Sequence, residues 1–318
     1  MHPVLRNSYV LPTNALEAFV NMCVMWTRAN VLGVLVYGLQ RAGKSLAIEY
    51  FIANVGEWLG RSVGVVSMEV LSHRQTNEGV FFGDLLNSMG HPTTKRSPED
   101  RRRQFVARLV EAAARSELRK LVVFLDEAQR LDDFMFDLLI GIHNELERLY
   151  KVKVLWVLVG QPELQSFPST YIAQAKRQIV ARFMTDTYLF QPLMGEEDFR
   201  DAVTCFDEQL RYPINGPSFT EFFAPGPWAA GWTLASQSGL IWECLGQARI
   251  KAGLSETSGM TMQGFTTLMN FVLTELLPTL GDHDRLTEAV IMDAIVKTNC
   301  MIFERQEAVL SLPSTESA

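Results

Sequence analysis

Residues 31–45 read VLGVLVYGLQRAGKS, an apolar run from Val31 to Tyr37 followed by a glycine-bounded loop that ends in Lys44 and Ser45. The run is short, rich in β-branched residues and free of charge, as a strand buried on both faces must be. The loop matches GxxxxGK[ST] in full as Gly38, Leu39, Gln40, Arg41, Ala42, Gly43, Lys44 and Ser45, with a helix expected to begin near Lys44 and Leu46 next in the nucleotide-binding set. Such a loop lets backbone N–H groups close around phosphate oxygens, and the helix N-terminus adds a positive field. Lys44 is placed to reach the β and γ phosphates of a nucleotide, and Ser45 to ligate magnesium.

A second apolar run, LVVFLDE at 121–127, ends in two adjacent carboxylates. Paired carboxylates at the carboxyl end of a buried strand are costly unless they are used. Asp126 is read as the second magnesium-shell residue, and Glu127 as the general base that polarises the attacking water. A third run, VLWVLVGQPEL, stops at Gly160, and Gln161 is its first polar side chain. Gln161 is expected to sense the γ-phosphate; it equally suits a polar residue that opens a loop.

Four runs, Val31 to Tyr37, Ser62 to Met68, Lys120 to Leu125 and Val152 to Val159, alternate with long helical patterns. That alternation predicts an α/β fold, a doubly wound parallel sheet of the P-loop NTPase type. Pro12 to Ala29 has Thr13 and Asn14 as possible N-caps before helix-spaced apolar residues, placed to flank an adenine. After Pro192 the patterns are helical only, with strong ones from Leu240 to Gly253 and Gly264 to Leu280, interrupted by a Gly/Pro-rich stretch from Asn215 to Trp228 that includes APGPW. The expected division is an ATP-binding α/β domain over 1–195, a helical lid over 196–310 and a flexible tail over 311–318.

Of 318 residues, 47% are hydrophobic and 20% charged, which suffices for a real core. The net charge of −7 excludes a protein coated in positive charge, so any nucleic-acid contact must be local. Cys23, Cys205, Cys244 and Cys300 lie far apart without CxxC spacing, which suggests neither a disulfide framework nor a zinc site and fits a reducing cytoplasm. No apolar run is long enough to span a bilayer, so a cytoplasmic location without membrane contact is expected.

Taken together, GLQRAGKS, FLDEAQRL, LVGQPEL and RQIVARFMTDTYLFQPL resemble the TnsC/TniB family of AAA+ transposition regulators, relatives of MuB and IstB, over about residues 10–250. More distantly they resemble ExeA-type ATPases. The resemblance implies an ATP- and Mg2+-dependent ATPase with a C-terminal lid that oligomerises, as a ring or helical filament, on double-stranded DNA. It implies partners as well: a transposase and a target-selector protein. It also places Arg182, in VARF, where an arginine reaches the neighbouring subunit's ATP, with Arg177 as the spare candidate; a surface helix arginine is the plainer alternative. The sequence departs from many AAA+ lids, since SGLIWECLGQ at 238–247 carries no sensor arginine and Arg249, two turns on, is the substitute candidate.

Between Lys95 and Lys120 stand nine basic residues against four acidic ones, opposite in sign to the whole chain. At helical spacing Arg101, Arg108, Arg115 and Arg119 fall within about 40° of one another. Repeated by each subunit of an assembly, such a stripe would follow a phosphate backbone without reading bases. Lys95 and Arg96 in the preceding loop, with Lys151 and Lys153, are further DNA candidates. A solvated face or a subunit contact explains the stripe as well. Two other functions stay open: a small-molecule phosphotransferase, and an ExeA-like scaffold ATPase that does not act on DNA.

Overall fold

A computed structural model describes residues 1–92, 97–191, 193–255, 259–282, 284–302 and 304. Lys95, Arg96 and the tail at 311–318 lie outside the described residues. The chain divides into two compact units. One comprises Phe19–Leu39 and Lys44–Phe190; the other comprises Met1–Ala18, Gln40–Gly43 and the described residues from Gln191 onward. This grouping differs from a division at residue 195 in assigning the first 18 residues, and the apex of the glycine-bounded loop, to the second unit.

The first unit holds five strands, β1 (Gly33–Tyr37), β2 (Val63–Glu69), β3 (Lys120–Asp126), β4 (Lys153–Gly160) and β5 (Asp186–Leu189). All pair in parallel, in the order β2-β3-β4-β1-β5. Parallel neighbours need long crossovers, and these are supplied by α2 (Lys44–Leu59), α3 (Glu78–Ser88), α4 (Pro98–Ala114), α5 (Asp133–Arg148), α6 (Phe167–Ala173) and α7 (Arg177–Phe183). The helix expected before the first strand is α1 (Asn14–Ala29), capped by Thr13, whose hydroxyl accepts from the Leu16 N–H at 3.3 Å. Four of the strands fall on the four apolar runs. The fifth was not expected: its side chains are alternately half-buried and exposed, so it carries no continuous apolar run.

The core of this unit joins the sheet to its helices through Val123, Leu125, Trp156 and Leu158 on the strands and Phe82, Phe105, Leu109, Phe136 and Phe183 on the helices. Each of these large side chains contributes on the order of 1.5–3 kcal/mol by leaving water.

The second unit is helical, with α8 (Glu196–Glu208), α9 (Phe219–Phe223), α10 (Pro225–Ala229), α11 (Ser238–Lys251), α12 (Met262–Phe271) and α13 (Glu288–Thr298). Phe199, Phe206, Trp232, Ile241, Leu245, Phe265, Leu268 and Ile291 form its core. The stretch APGPW, expected as an interruption, is instead the short helix α10, because a proline at the first position of a helix gives up no needed hydrogen bond. Arg249 is wholly buried here: its Nε donates to Glu304 at 2.9 Å, and its guanidinium lies 4.8 Å from the centre of the Trp242 ring. This overturns its candidacy as a lid sensor, since a guanidinium so enclosed cannot turn to a nucleotide without stranding the Glu304 carboxylate in the core. Burial holds that carboxylate above its ordinary range, against the pull of Arg249. The four cysteines are buried free thiols. Among the described residues no helix is long and apolar enough to cross a membrane.

Candidate functional site

The strand order puts β4 between β3 and β1, so the carboxyl ends of these three strands follow one another along one edge of the sheet. Tyr37 faces Gly160 in register, and Leu125 faces Leu158. With about 4.8 Å between neighbouring strands, the residues after β1 and β3 stand on the order of 10 Å apart. Ligands of doubly wound sheets bind at this kind of edge, where crossovers leave in opposite directions.

The chain leaves β1 at Gly38, and the choice of residue is dictated by space: a Cβ there would meet the carbonyl oxygen of Phe190 at 2.3 Å. Arg41, at the apex of the loop, has φ 62°, a left-handed conformation that non-glycine residues adopt at a cost. From the first turn of α2, Lys44 donates through Nζ to the carbonyls of Gly38 and Leu39, both at 2.6 Å, which places the ammonium over the loop. Ser45 donates from Oγ to Oδ2 of Asp126 at 2.7 Å. A hydroxyl and a carboxylate so placed are hard oxygen donors of the type that magnesium takes.

Asp126 ends β3, and its Oδ1 accepts from the N–H of Glu127 at 2.9 Å. Glu127 has φ 56°, so the chain turns sharply just past the strand. Its Oε2 accepts from Gln129 Nε2 at 2.8 Å and pairs with Arg130 at 3.0 Å. Arg130 also donates to the Val70 carbonyl, just beyond β2, at 2.9 Å and reaches Glu69, the last residue of β2, at 3.3 Å. Gln129 turns its Oε1 to the N–H of Gln161 at 3.2 Å. Neither Gln129 nor Arg130 was among the expected site residues. The signal available was their adjacency to Glu127 in FLDEAQRL, but their reach depends on the turn at Glu127.

Lys44, Ser45, Asp126, Glu127 and Gln161 therefore stand at the carboxyl ends of neighbouring strands. Arg182 does not join them. It closes α7 beside Gly33, the first residue of β1, where its backbone oxygen would lie 2.3 Å from a Cβ on Gly33. Its guanidinium is 3.4 Å from both Asn144 Oδ1 and the Gln178 carbonyl. Arg177, at the start of the same helix, is exposed.

The arginine stripe is less uniform than helical spacing implies. Arg101 turns inward and donates to the Gly79 carbonyl at 2.8 Å. Arg108 and Arg115 flank Glu111, each at 2.8 Å, and their hydrogen bonds hold its carboxyl below the ordinary range. Arg119 lies past the end of α4 at φ 50°. Lys151 is exposed in the turn before β4, and Lys153 pairs with Glu147 at 2.5 Å.

Comparison with known proteins agrees with this fold. A family model described as an AAA domain matches residues 32–167. No curated protein matches the chain. Among solved structures, the Aeropyrum pernix ORC2 protein in its ADPNP–ADP complexes superposes with a TM-score of 0.58 at 15% identity, over 93% of this chain and 71% of that one. The ADP form of that protein gives 0.49 at 15% identity, over 92% and 72%. Drosophila ORC bound to DNA gives 0.49 at 13% identity, over 94% and 63%. At these identities the likeness shows the fold, and only the first superposition is close enough to argue from. The chain has the α/β fold of AAA+ P-loop proteins, and with its AAA domain it is an ATP-hydrolysing enzyme.

Proposed function

We propose that this ATPase is a nucleotide-driven switch that assembles on double-stranded DNA and regulates a transposase, as its motifs' resemblance to the TnsC/TniB family implies. The observation that carries the reading is the separation of Arg182 from the carboxylates. β1 is five residues long, and Arg182 stands at its amino end while the phosphate loop leaves its carboxyl end. At about 3.3 Å per residue the two are roughly 16 Å apart. An arginine there serves the ATP of a second copy rather than its own.

The residues then divide the work. Backbone N–H groups of the loop and the Lys44 ammonium bind the β and γ phosphates. Ser45 and Asp126 would hold a magnesium ion, which when bound neutralises charge on the phosphate oxygens. Glu127 takes the proton of the water that attacks the γ-phosphorus, as the bond to the β-phosphate oxygen breaks and ADP leaves. Gln161 marks whether the γ-phosphate is present. Arg182 of a neighbouring copy offsets charge on the transferring group, which links turnover to assembly. ATP favours the assembled state and hydrolysis releases it, so the lifetime on DNA is set by Glu127. Arg108, Arg115 and Lys151, with Lys95, Arg96 and Arg101, supply the local positive charge for the phosphate backbone; Arg108 and Arg115 share one Glu111 between them and so keep a net positive charge.

Negative-stain electron microscopy with a non-hydrolysable ATP analogue, with and without duplex DNA, tests this reading against a Lys44→Ala control. Rings or filaments that require both nucleotide and DNA are expected. Nucleotide-dependent oligomers indifferent to DNA would make the chain a scaffold ATPase, and a persistent monomer would remove Arg182 from the site.

A further inference from the structure

We infer that Gln129 is a positioning residue for ATP hydrolysis, a single side-chain amide that ties the carboxylate of Glu127 to the backbone at Gln161. The inference rests on the reading of Glu127 as the base and Gln161 as the residue that registers the γ-phosphate.

Three observations converge on this amide. Its Nε2 donates to Glu127 Oε2 at 2.8 Å, and its Oε1 accepts from the Gln161 N–H at 3.2 Å, so both ends are used in opposite senses. The two groups it joins follow different strands, Glu127 directly after β3 and Gln161 directly after β4. Finally, Gly160 leaves the space that the amide fills: a Cβ on Gly160 would lie 2.2 Å from Gln129 Oε1 and 2.8 Å from Leu164 Cδ1. Glycine at the end of β4 is thus matched to glutamine two residues past the base.

The physical consequence is a fixed spacing. A carboxylate at a sharp turn has freedom about its own side-chain torsions, and turnover depends on where its oxygens stand relative to the γ-phosphate. Gln129 removes much of that freedom and refers the position of Glu127 to the strand that bears Gln161. A displacement of Gln161 on meeting the γ-phosphate then moves Glu127 with it. Arg130 grips the same carboxylate oxygen but is anchored beyond β2, so it restrains Glu127 without linking it to β4.

Two substitutions break the tie from opposite sides. Gln129→Met preserves the length and packing of the side chain but offers neither hydrogen bond. Gly160→Ala leaves Gln129 intact and pushes its amide away; the atoms it meets at under 3 Å are the ends of flexible side chains, so the strand survives. In the full chain with duplex DNA and saturating ATP, each should lower kcat by up to about 100-fold. Affinity for a fluorescent ATP analogue and the thermal midpoint should stay at wild-type values, and the double variant should be no slower than either single one. Wild-type turnover in Gln129→Met would show that the side chain only fills space and would overturn the proposal. So would a parallel loss of turnover, nucleotide affinity and thermal midpoint in both variants, which marks a structural role. Glu127→Gln runs alongside: if it still hydrolyses ATP at the wild-type rate, the base assignment falls and the proposal with it, whereas an inactive Glu127→Gln beside fully active Gln129→Met and Gly160→Ala defeats the proposal alone.

Discussion

The hydroxyl of Ser45 lies 2.7 Å from Oδ2 of Asp126, although 81 residues separate them in the chain. The sheet order produces this meeting, because β1 and β3 flank β4 and end on the same edge. A pair so placed offers two hard oxygen donors, as the proposed magnesium and phosphate site requires. Its chemistry leads to expectations for each neighbouring side chain.

Lys44→Ala should weaken ATP binding about ten- to hundredfold, the range expected for losing hydrogen bonds from a charged group. Titration with a fluorescent ATP analogue measures it. The fold should be unaffected, since the Gly38 and Leu39 carbonyls that accept from the ammonium lie in its own loop.

Glu127→Gln should leave nucleotide affinity intact and lower kcat by about 10²- to 10⁴-fold, as removal of a general base does. The same variant should form longer-lived assemblies with ATP, because in the proposed switch release depends on hydrolysis. Phosphate release at saturating ATP and the decay of light scattering after ATP is chased report the two effects.

Arg249→Ala should destabilise the protein by about 3–5 kcal/mol, since it leaves the Glu304 carboxylate buried without its partner. Arg249→Met combined with Glu304→Leu should recover most of that loss. Urea unfolding of the three proteins gives the comparison, and nucleotide affinity should not follow the stability change, as Arg249 is 0% exposed.

His143 is buried and its Nδ1 is 3.2 Å from Trp156 Nε1. Burial lowers its pKa, with Arg182 and Lys153 adding to the effect and Glu147 opposing it. The unfolded chain therefore takes up this proton first as pH falls through the ordinary histidine value. The stability that a neutral His143 contributes is present above about pH 6.5 and is lost below it, toward the lowered folded value. His143→Gln, which still offers an acceptor to Trp156, should flatten this part of the pH profile; thermal midpoints between about pH 5.5 and 7.5 read it out.

How much of this could be read from sequence depended on whether a feature was local. Runs such as VLWVLVG were legible because strands buried on both faces leave continuous apolar stretches. Lys44, Ser45 and Glu127 could be singled out as candidates because the glycine-bounded loop and the carboxylate pair each lie within a few consecutive residues. β5 escaped because it alternates half-buried and exposed side chains over only four residues. Gln129 escaped because its partners are set by the left-handed turn at Glu127 and by the missing Cβ of Gly160, 31 positions on from Gln129. The stripe on α4 was half legible: spacing placed the arginines on one face, but neither Arg101's turn toward Gly79 nor Glu111's grip on Arg108 and Arg115 follows from spacing.

The most direct measurement is steady-state phosphate release with and without duplex DNA, by the wild-type chain and by Glu127→Gln. The account predicts turnover that duplex DNA stimulates and that Glu127→Gln abolishes; turnover indifferent to DNA, or undiminished without the Glu127 carboxylate, would contradict it.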